Sequence, residues 1–279
     1  MSIGADSKTI NSIMPDLIPT FNVQLANKYF DKPDYVEGKE FAITTKIDGG
    51  RIIAIKENGQ VSFFTRAGQK YEGLVDLEDE MYRLMPDNCC LDGEITLLAR
   101  GNLSSKEAYK ETMKIVRTKD KEKHGIKMQV FDWMPAEDFK KQKCDMPYKY
   151  RRIVVNNLFD ELTFRYFELL PLLYVGEDTS KIPEILEEEM ANGEEGIMIN
   201  VYDAPYEFKR TNSLLKVNAG LILYVMLCIQ VKMVQLVSCL QIRRCWIISI
   251  HQIKNSKTLA NVSVKRINNN TVTFKVSDC

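Results

Sequence analysis

Phe41-Ala42-Ile43-Thr44-Thr45-Lys46-Ile47-Asp48-Gly49-Gly50-Arg51 is the stretch on which the reading of this chain turns. Its first half is β-prone. Asp48-Gly49-Gly50 is a turn signal, and Arg51 to Lys56 reads as a second strand. The pattern sets a lysine at a strand end, where its side chain can point into a cleft. Glycines follow it, and they let a phosphate approach the backbone closely. A lysine amine is a poor nucleophile near neutral pH because its reference pKa is about 10.4. Nearby cations and burial both depress that value. Arg51, a metal ion or a second lysine would supply the push.

Outward from this stretch the elements alternate irregularly. Glu57-Asn58-Gly59-Gln60 reads as a hairpin turn, and Val61 to Arg66 as the returning strand. Leu74 to Leu84 has helical spacing, and Cys90 to Leu98 is strand-like. Ser104 with Glu107 forms a capping box for a helix running to Val116. Lys127 to Trp133, Glu195 to Val201 and Ser213 to Val217 read as strands. Tyr148 to Leu158 and Ile182 to Met190 read as helices, the second closed by Asn192-Gly193. Near the start, Val23 to Tyr29 reads as a short helix. The order is α+β and excludes a strict βαβ alternation. The acidic cluster Glu184, Glu187, Glu188 and Glu189 reads as a solvated face. The basic stretch Lys140 to Arg152 reads equally well as plain surface or as a phosphate-contacting one.

Bulk properties narrow the field. The 279 residues allow one large domain, or a core domain with a small companion. Net charge is zero, so any basic surface must be local. Seven cysteines and two histidines include no C-x-x-C pair, which argues against a structural zinc site. No signal peptide is evident, and the apolar run Ala219 to Ile229 is too short to span a bilayer. The expectation is a soluble, cytoplasmic protein that does not engage a membrane.

Lys46-Ile47-Asp48-Gly49-Gly50-Arg51 resembles the K-x-D-G-x-R adenylation motif of the covalent nucleotidyltransferases: DNA ligases, RNA ligases and mRNA-capping guanylyltransferases. Further segments match that family in order. They are Thr65-Arg66-Ala67-Gly68, Leu91-Asp92-Gly93-Glu94-Ile95, Val130-Phe131-Asp132-Trp133, Glu194-Glu195-Gly196-Ile197-Met198 and Ser213-Leu214-Leu215-Lys216. Arginine at position 51 and the absence of a four-cysteine module set the chain apart from NAD-dependent ligases. Glu195-Gly196 sets it apart from capping enzymes. The chain is most similar to compact ATP-dependent DNA ligases of phages and prophages.

The resemblance implies an ATP-grasp-like nucleotidyltransferase domain over residues 1–217, built from antiparallel sheets flanked by helices. A short, incomplete β-rich OB-like segment would follow over 218–279. It implies ATP and Mg²⁺ as cofactors and nicked double-stranded DNA as partner, with the protein acting as a monomer. Lys46 would attack the α-phosphate of ATP. Arg51 and Lys216 would stabilise the transferring phosphate, and Arg66 would contact the AMP or the 5′-phosphate of the nick. Phe131 would stack on adenine. Glu94 would contact ribose or metal, and Glu195 would hold the metal. An RNA ligase and an inactive nucleotide-binding remnant are the alternative readings.

Three departures from the family pattern stand out. Thr44 occupies a position where many ligases have a glutamate. Asn218 replaces the second lysine of the last motif. The Cys-, Val- and Ile-rich run Ala219 to Ile250 does not read as the strands of an OB-fold, and a frameshift would account for it. Only Thr258 to Val276 reads as strands, forming a hairpin around Asn268-Asn269-Asn270.

Overall fold

The computed structural model describes residues 21–119, 121–218, 262–268 and 271–276, with Ile13 besides. The chain divides into two compact units, residues 1–227 and 228–279. In the second unit, β12 (Val262–Asn268) and β13 (Thr271–Val276) pair antiparallel, with Asn268 opposite Thr271. This is the hairpin read from the sequence. The run Ala219 to Ile250, and with it the frameshift reading, lies outside the described residues.

The first unit is built on two sheets. The five-stranded sheet has the order β1-β11-β10-β2-β9, from β1 (Leu25–Lys28), β11 (Arg210–Asn218), β10 (Gly196–Val201), β2 (Phe41–Thr45) and β9 (Tyr174–Gly176). The six-stranded sheet has the order β5-β4-β3-β6-β7-β8. Its strands are β5 (Lys70–Tyr71), β4 (Gln60–Thr65), β3 (Gly50–Glu57), β6 (Cys89–Leu97), β7 (Ile126–Pro135) and β8 (Phe167–Leu169). Pairing is antiparallel except at β1–β11 and β7–β8. The β3–β4 turn carries positive φ at both Asn58 and Gly59, the backbone that a two-residue hairpin requires.

Helices cover the outer faces. They are α1 (Val75–Leu84), α2 (Ser105–Val116), α3 (Ala136–Lys140), α4 (Tyr148–Glu161) and α5 (Lys181–Ala191). One core joins Ile52, Ala54, Leu91 and Val130 of the six-stranded sheet to Leu77, Met81, Val116 and Val155 of α1, α2 and α4. A second joins Phe41, Ile43, Ile197, Ile199, Leu215 and Val217 of the five-stranded sheet to Ile182, Ile185 and Leu186 of α5. A third, with Ile53, Cys90, Met134, Phe139, Cys144 and Tyr206, fills the other side of the six-stranded sheet. The capping box of α2 forms as read: Ser104 and Glu107 satisfy each other's backbone N–H groups. Asn192 ends α5, and Gly193 follows at positive φ.

Several expectations are corrected. Val23 to Tyr29 is not an α-helix; only Tyr29, at its end, enters a short 3-10 turn. Leu25–Lys28 forms the edge strand β1, because β11 offers its backbone to it, beginning with Leu25 N donating to Lys209 O at 3.0 Å. Tertiary pairing overrides a weak periodic signal in so short a segment. Glu189 is buried and is not part of a solvated face. In the basic stretch, Arg151 and Arg152 are both buried, so neither lies on a surface of either kind. Arg151 grips Asp132 bidentately, Nε to Oδ1 and Nη2 to Oδ2, each at 2.8 Å. The lysines around it are matched by acids: Lys141 with Glu137 at 3.0 Å, Lys143 with Asp145 at 2.9 Å and Lys149 with Asp203 at 2.5 Å.

Among the described residues no helix is long and apolar enough to cross a membrane. The Arg151–Asp132 pair is almost wholly removed from water. Asp132→Ala strands the guanidinium, and equilibrium urea unfolding should show a loss of about 3–5 kcal/mol.

Candidate active site

The chain passes from one sheet to the other through Ile47-Asp48-Gly49. Strand β2 belongs to the five-stranded sheet, and β3 opens the six-stranded sheet at Gly50. Lys46 is the last residue to hold β2's register, its N–H donating to Gly196 O at 2.8 Å. Phe41 and Ile43 face the core beneath α5, so Thr44 and Lys46 face the opposite side. The crossing is tight. A Cβ on Gly49 would sit 2.7 Å from the Ile95 carbonyl oxygen, and one on Gly50 would sit 2.6 Å from Met113 Cε. Position 49 admits glycine for want of space, since its neighbour is a backbone carbonyl, whereas at position 50 the flexible Met113 side chain could move aside.

The register brings other residues to the same face as Lys46. Thr44 pairs with Met198, and Met198 pairs with Lys216, giving a row across β2, β10 and β11. Asn218 lies one pair further along, opposite Gly196. Glu195, just before β10, forms an ion pair with Lys46. Its other oxygen accepts a hydrogen bond from Asn218 Nδ2 at 3.2 Å. Thus Asn218, where the resemblance leads one to expect a cation, orients the carboxylate that holds the Lys46 ammonium.

The six-stranded sheet contributes Arg51, Asp92, Glu94 and Phe131. Arg51 stands opposite Glu94 across the β3–β6 pair. Its guanidinium turns instead to Asp92, with Nε to Oδ1 at 2.5 Å and Nη2 to Oδ2 at 2.6 Å. Asp92 also accepts the Tyr206 hydroxyl at 2.6 Å, and that hydroxyl accepts the Gln24 N–H at 3.0 Å. Burial opposes the charge on Arg51, and Asp92 more than restores it, so the guanidinium stays protonated.

Phe131 is the extra residue of a β-bulge. Gly93 pairs with Val130 while Asp92 pairs with Asp132, which leaves Phe131 between them. The bulge reverses the alternation of β7. Val130 packs in the core beneath α1 and α4, whereas Met134 belongs to the opposite side. The Arg51 guanidinium lies 4.7 Å from the Phe131 ring centroid.

Glu94 is unusual. Its Oε2 is buried and has no hydrogen-bond partner among the described residues. Burial pushes its pKa up to about 7, against the attraction of Arg51 and Lys46. Asp48 is likewise pushed up, by burial first and then by Glu195. An orphaned acceptor of this kind suits a ribose hydroxyl or a metal-bound water. Among the described residues no three His, Cys, Asp or Glu side chains cluster to hold a metal.

Of the residues singled out in the sequence, Lys46 and Glu195 are in contact, with Lys216 on the same sheet face. Arg51, Glu94 and Phe131 form a second group on the facing sheet. Arg66 continues the β3–β4 register toward Arg51, with no side-chain hydrogen bond or ion pair to either group among the described residues. It is exposed on the Thr65–Gln69 turn, one residue past the Ile52–Thr65 pair. Sequence reasoning missed Asp92 as the anchor of Arg51, although Asp92 stood inside a quoted motif. It also missed Tyr206, Gln24 and Met198, for which no local signal exists.

A family model described as the ATP dependent DNA ligase domain matches residues 23–218. A DNA ligase of Methanococcus maripaludis strain C6 is 29% identical over 192 residues, covering 61% of this chain and 32% of that protein. The DNA ligase of strain C7 is 30% identical over the same length and coverage. The chain therefore spans about a third of the length of these curated relatives. Among solved structures, Pmar-Lig_PreS3 superposes with a TM-score of 0.64 at 25% identity, covering 77% of this chain and 51% of its own. The ATP-dependent DNA ligase of bacteriophage T7 in complex with ATP has a TM-score of 0.54 at 16% identity, covering 71% and 68%. The last is a likeness of fold alone.

The raised Glu94 pKa has a thermodynamic consequence in the ligand-free, metal-free protein. The folded state binds the Glu94 proton more tightly than the unfolded chain does, so stability falls as pH rises from 4.5 toward 7. Glu94→Gln removes this penalty. Thermal melts should show the variant more stable than wild type above pH 7, with the gap closing toward pH 4.5.

Proposed function

The chain belongs to the ATP-dependent DNA ligase domain family, and we propose that it seals 5′-phosphate/3′-hydroxyl nicks in double-stranded DNA by way of a lysyl-AMP intermediate. The observation that carries this reading is Lys46 at the sheet-to-sheet crossing, ion-paired to Glu195 on the sheet face opposite the α5 core. Residues 1–217 serve as the nucleotidyltransferase domain and 218–279 as an altered OB-like segment. The protein acts as a cytoplasmic monomer.

Lys46 Nζ attacks the α-phosphorus of ATP. An N–P bond forms, the bond from the α-phosphorus to the bridging oxygen breaks, and pyrophosphate leaves. The amine must first shed a proton. That proton leaves to solvent, and Glu195, now paired with the Lys46 ammonium, would then be free to hold a divalent cation. Mg²⁺, when bound, supplies charge neutralisation at the phosphate oxygens. Lys216, in the row with Met198 and Thr44, meets the α-phosphate charge as it develops. Glu94 accepts from ribose or from a metal-bound water. Phe131 offers its ring to adenine. Arg51 reaches the nucleotide from its fixed place on Asp92, and Arg66 meets the AMP or the 5′-phosphate of the nick from the rim. The 5′-phosphate end then takes the AMP from Lys46, and the neighbouring 3′-hydroxyl displaces it to form the new phosphodiester.

The full chain should be incubated with α-labelled ATP and Mg²⁺ beside Lys46→Ala and run on a denaturing gel. Label on wild type that is absent from the variant, and that nicked duplex chases off, supports the proposal. A folded wild type that takes no label overturns it. In the same assay Asn218→Lys adds a cation to the site. It should speed labelling by roughly tenfold or more, in the range of other single groups that stabilise transferred charge.

A further inference from the structure

We propose that the exposed basic stripe of α2 is a phosphate-backbone track for duplex DNA, leading the strand to the Lys46 crossing; this rests on the ligase reading above. Helix α2 carries Lys106, Lys110 and Lys114, and Arg117 caps its C-terminus. All four are exposed. At 3.6 residues per turn they lie at about 0°, 40°, 80° and 20° around the axis, so they share one face about 80° wide. Glu107 and Glu111 fall at about 100° and 140°, to one side of it. Glu107 is occupied by its capping box with Ser104. Glu111 reaches Lys114 at 3.5 Å. Among the described residues Lys106, Lys110 and Arg117 have no ion-pair partner. The basic stretch 140–152 differs, since its exposed lysines are matched by acids.

The stripe is placed beside the chemistry. Met113 falls at about 340°, on the flank of the stripe next to Lys106 and Arg117. Its methyl group packs against Gly50, at the end of the Lys46 crossing. The start of α2 is tied to the segment that carries Glu195. Ser105 Oγ donates to Gly193 O at 2.7 Å, and Arg100 Nη1 meets Glu194 at 2.7 Å while its Nη2 donates to Ser105 Oγ at 2.9 Å. From Lys106 to Arg117 the stripe runs about 16 Å along the helix. One strand of B-DNA carries a phosphate about every 3.4 Å of helix axis, so four or five phosphates pass in that length. In a chain of zero net charge, a local unmatched stripe is the feature that charge complementarity to a polyanion calls for.

The test is the salt dependence of binding by the full chain. The probe is a nicked duplex with a 5′-phosphate, in EDTA and without ATP so that no chemistry intervenes. Wild type is compared with the quadruple variant Lys106→Gln/Lys110→Gln/Lys114→Gln/Arg117→Gln. Glutamine is a good helix former, so the helix is retained. Each phosphate that the protein no longer neutralises lowers the slope of log K against log salt by about 0.9, so a fall of about 2–4 is expected. An unchanged slope overturns the proposal. So does an equal fall per charge removed in the control Lys141→Gln/Lys143→Gln, which would make bulk charge the cause. Loss of binding to polyglutamate with the DNA slope intact would assign the stripe to an acidic protein partner and also overturn it. Self-adenylation needs no DNA and should be unaffected in the quadruple variant. Absence of label on wild type would count against the ligase reading and leave the salt slope readable in its own right.

Discussion

A single buried carboxylate, Asp92, holds the facing elements of the site in register. It is fully buried and accepts three hydrogen bonds, two from Arg51 and one from Tyr206. Arg51 and Asp92 sit on the six-stranded sheet. Tyr206 lies in the β10–β11 connection of the other sheet, and Gln24, which donates to the Tyr206 hydroxyl, immediately precedes β1. A buried charge left unpaired is costly, and a bidentate guanidinium fixes direction as well as distance. The network therefore acts as a staple between the two layers, and Phe131 and the Lys46 crossing take their positions from layers held in this way.

Within that frame the site is electrostatically uneven. Lys46 is neutralised by Glu195, and Arg51 by Asp92. Glu94 is left to burial and to repulsion from Asp92, and Asp48 to burial and to repulsion from Glu195, so their proton affinities rise. The ligand-free site thus holds acceptors that want donors or cations and a lysine that is held in check. Asn218 belongs to this balance. A neutral amide there steadies Glu195 without competing for it as a second lysine would.

Irregularities of backbone place much of the chemistry. The β7 bulge leaves Phe131 unpaired on the strand and sends Asp132 to the opposite side, where Arg151 receives it. Gly49 lets the chain cross between sheets against the Ile95 carbonyl. Gly196 sits at φ 150°, and a Cβ there would collide with the Val217 carbonyl oxygen, so β11 can close on β10 beside Glu195.

The sequence by itself determined most of the strands and helices, because alternation and capping are local: the β3–β4 turn at Asn58-Gly59, the Ser104–Glu107 box and the Asn192-Gly193 stop all stand where they were read. It also determined which motif residues to follow, Lys46, Arg51, Arg66, Glu94, Phe131, Glu195 and Lys216, since ordered motifs are a property of the chain. Only the tertiary structure decided that Val23 to Tyr29 is largely an edge strand, that β8 and β9 exist at three residues each, and that Arg151, Arg152 and Glu189 are buried. Those outcomes depend on what lies opposite each segment, and three residues carry too little periodicity to announce a strand. The partners of Arg51 are of the same kind. Asp92 is 41 positions away and Tyr206 lies 114 beyond Asp92, and only the folding of one sheet against the other brings their oxygens together.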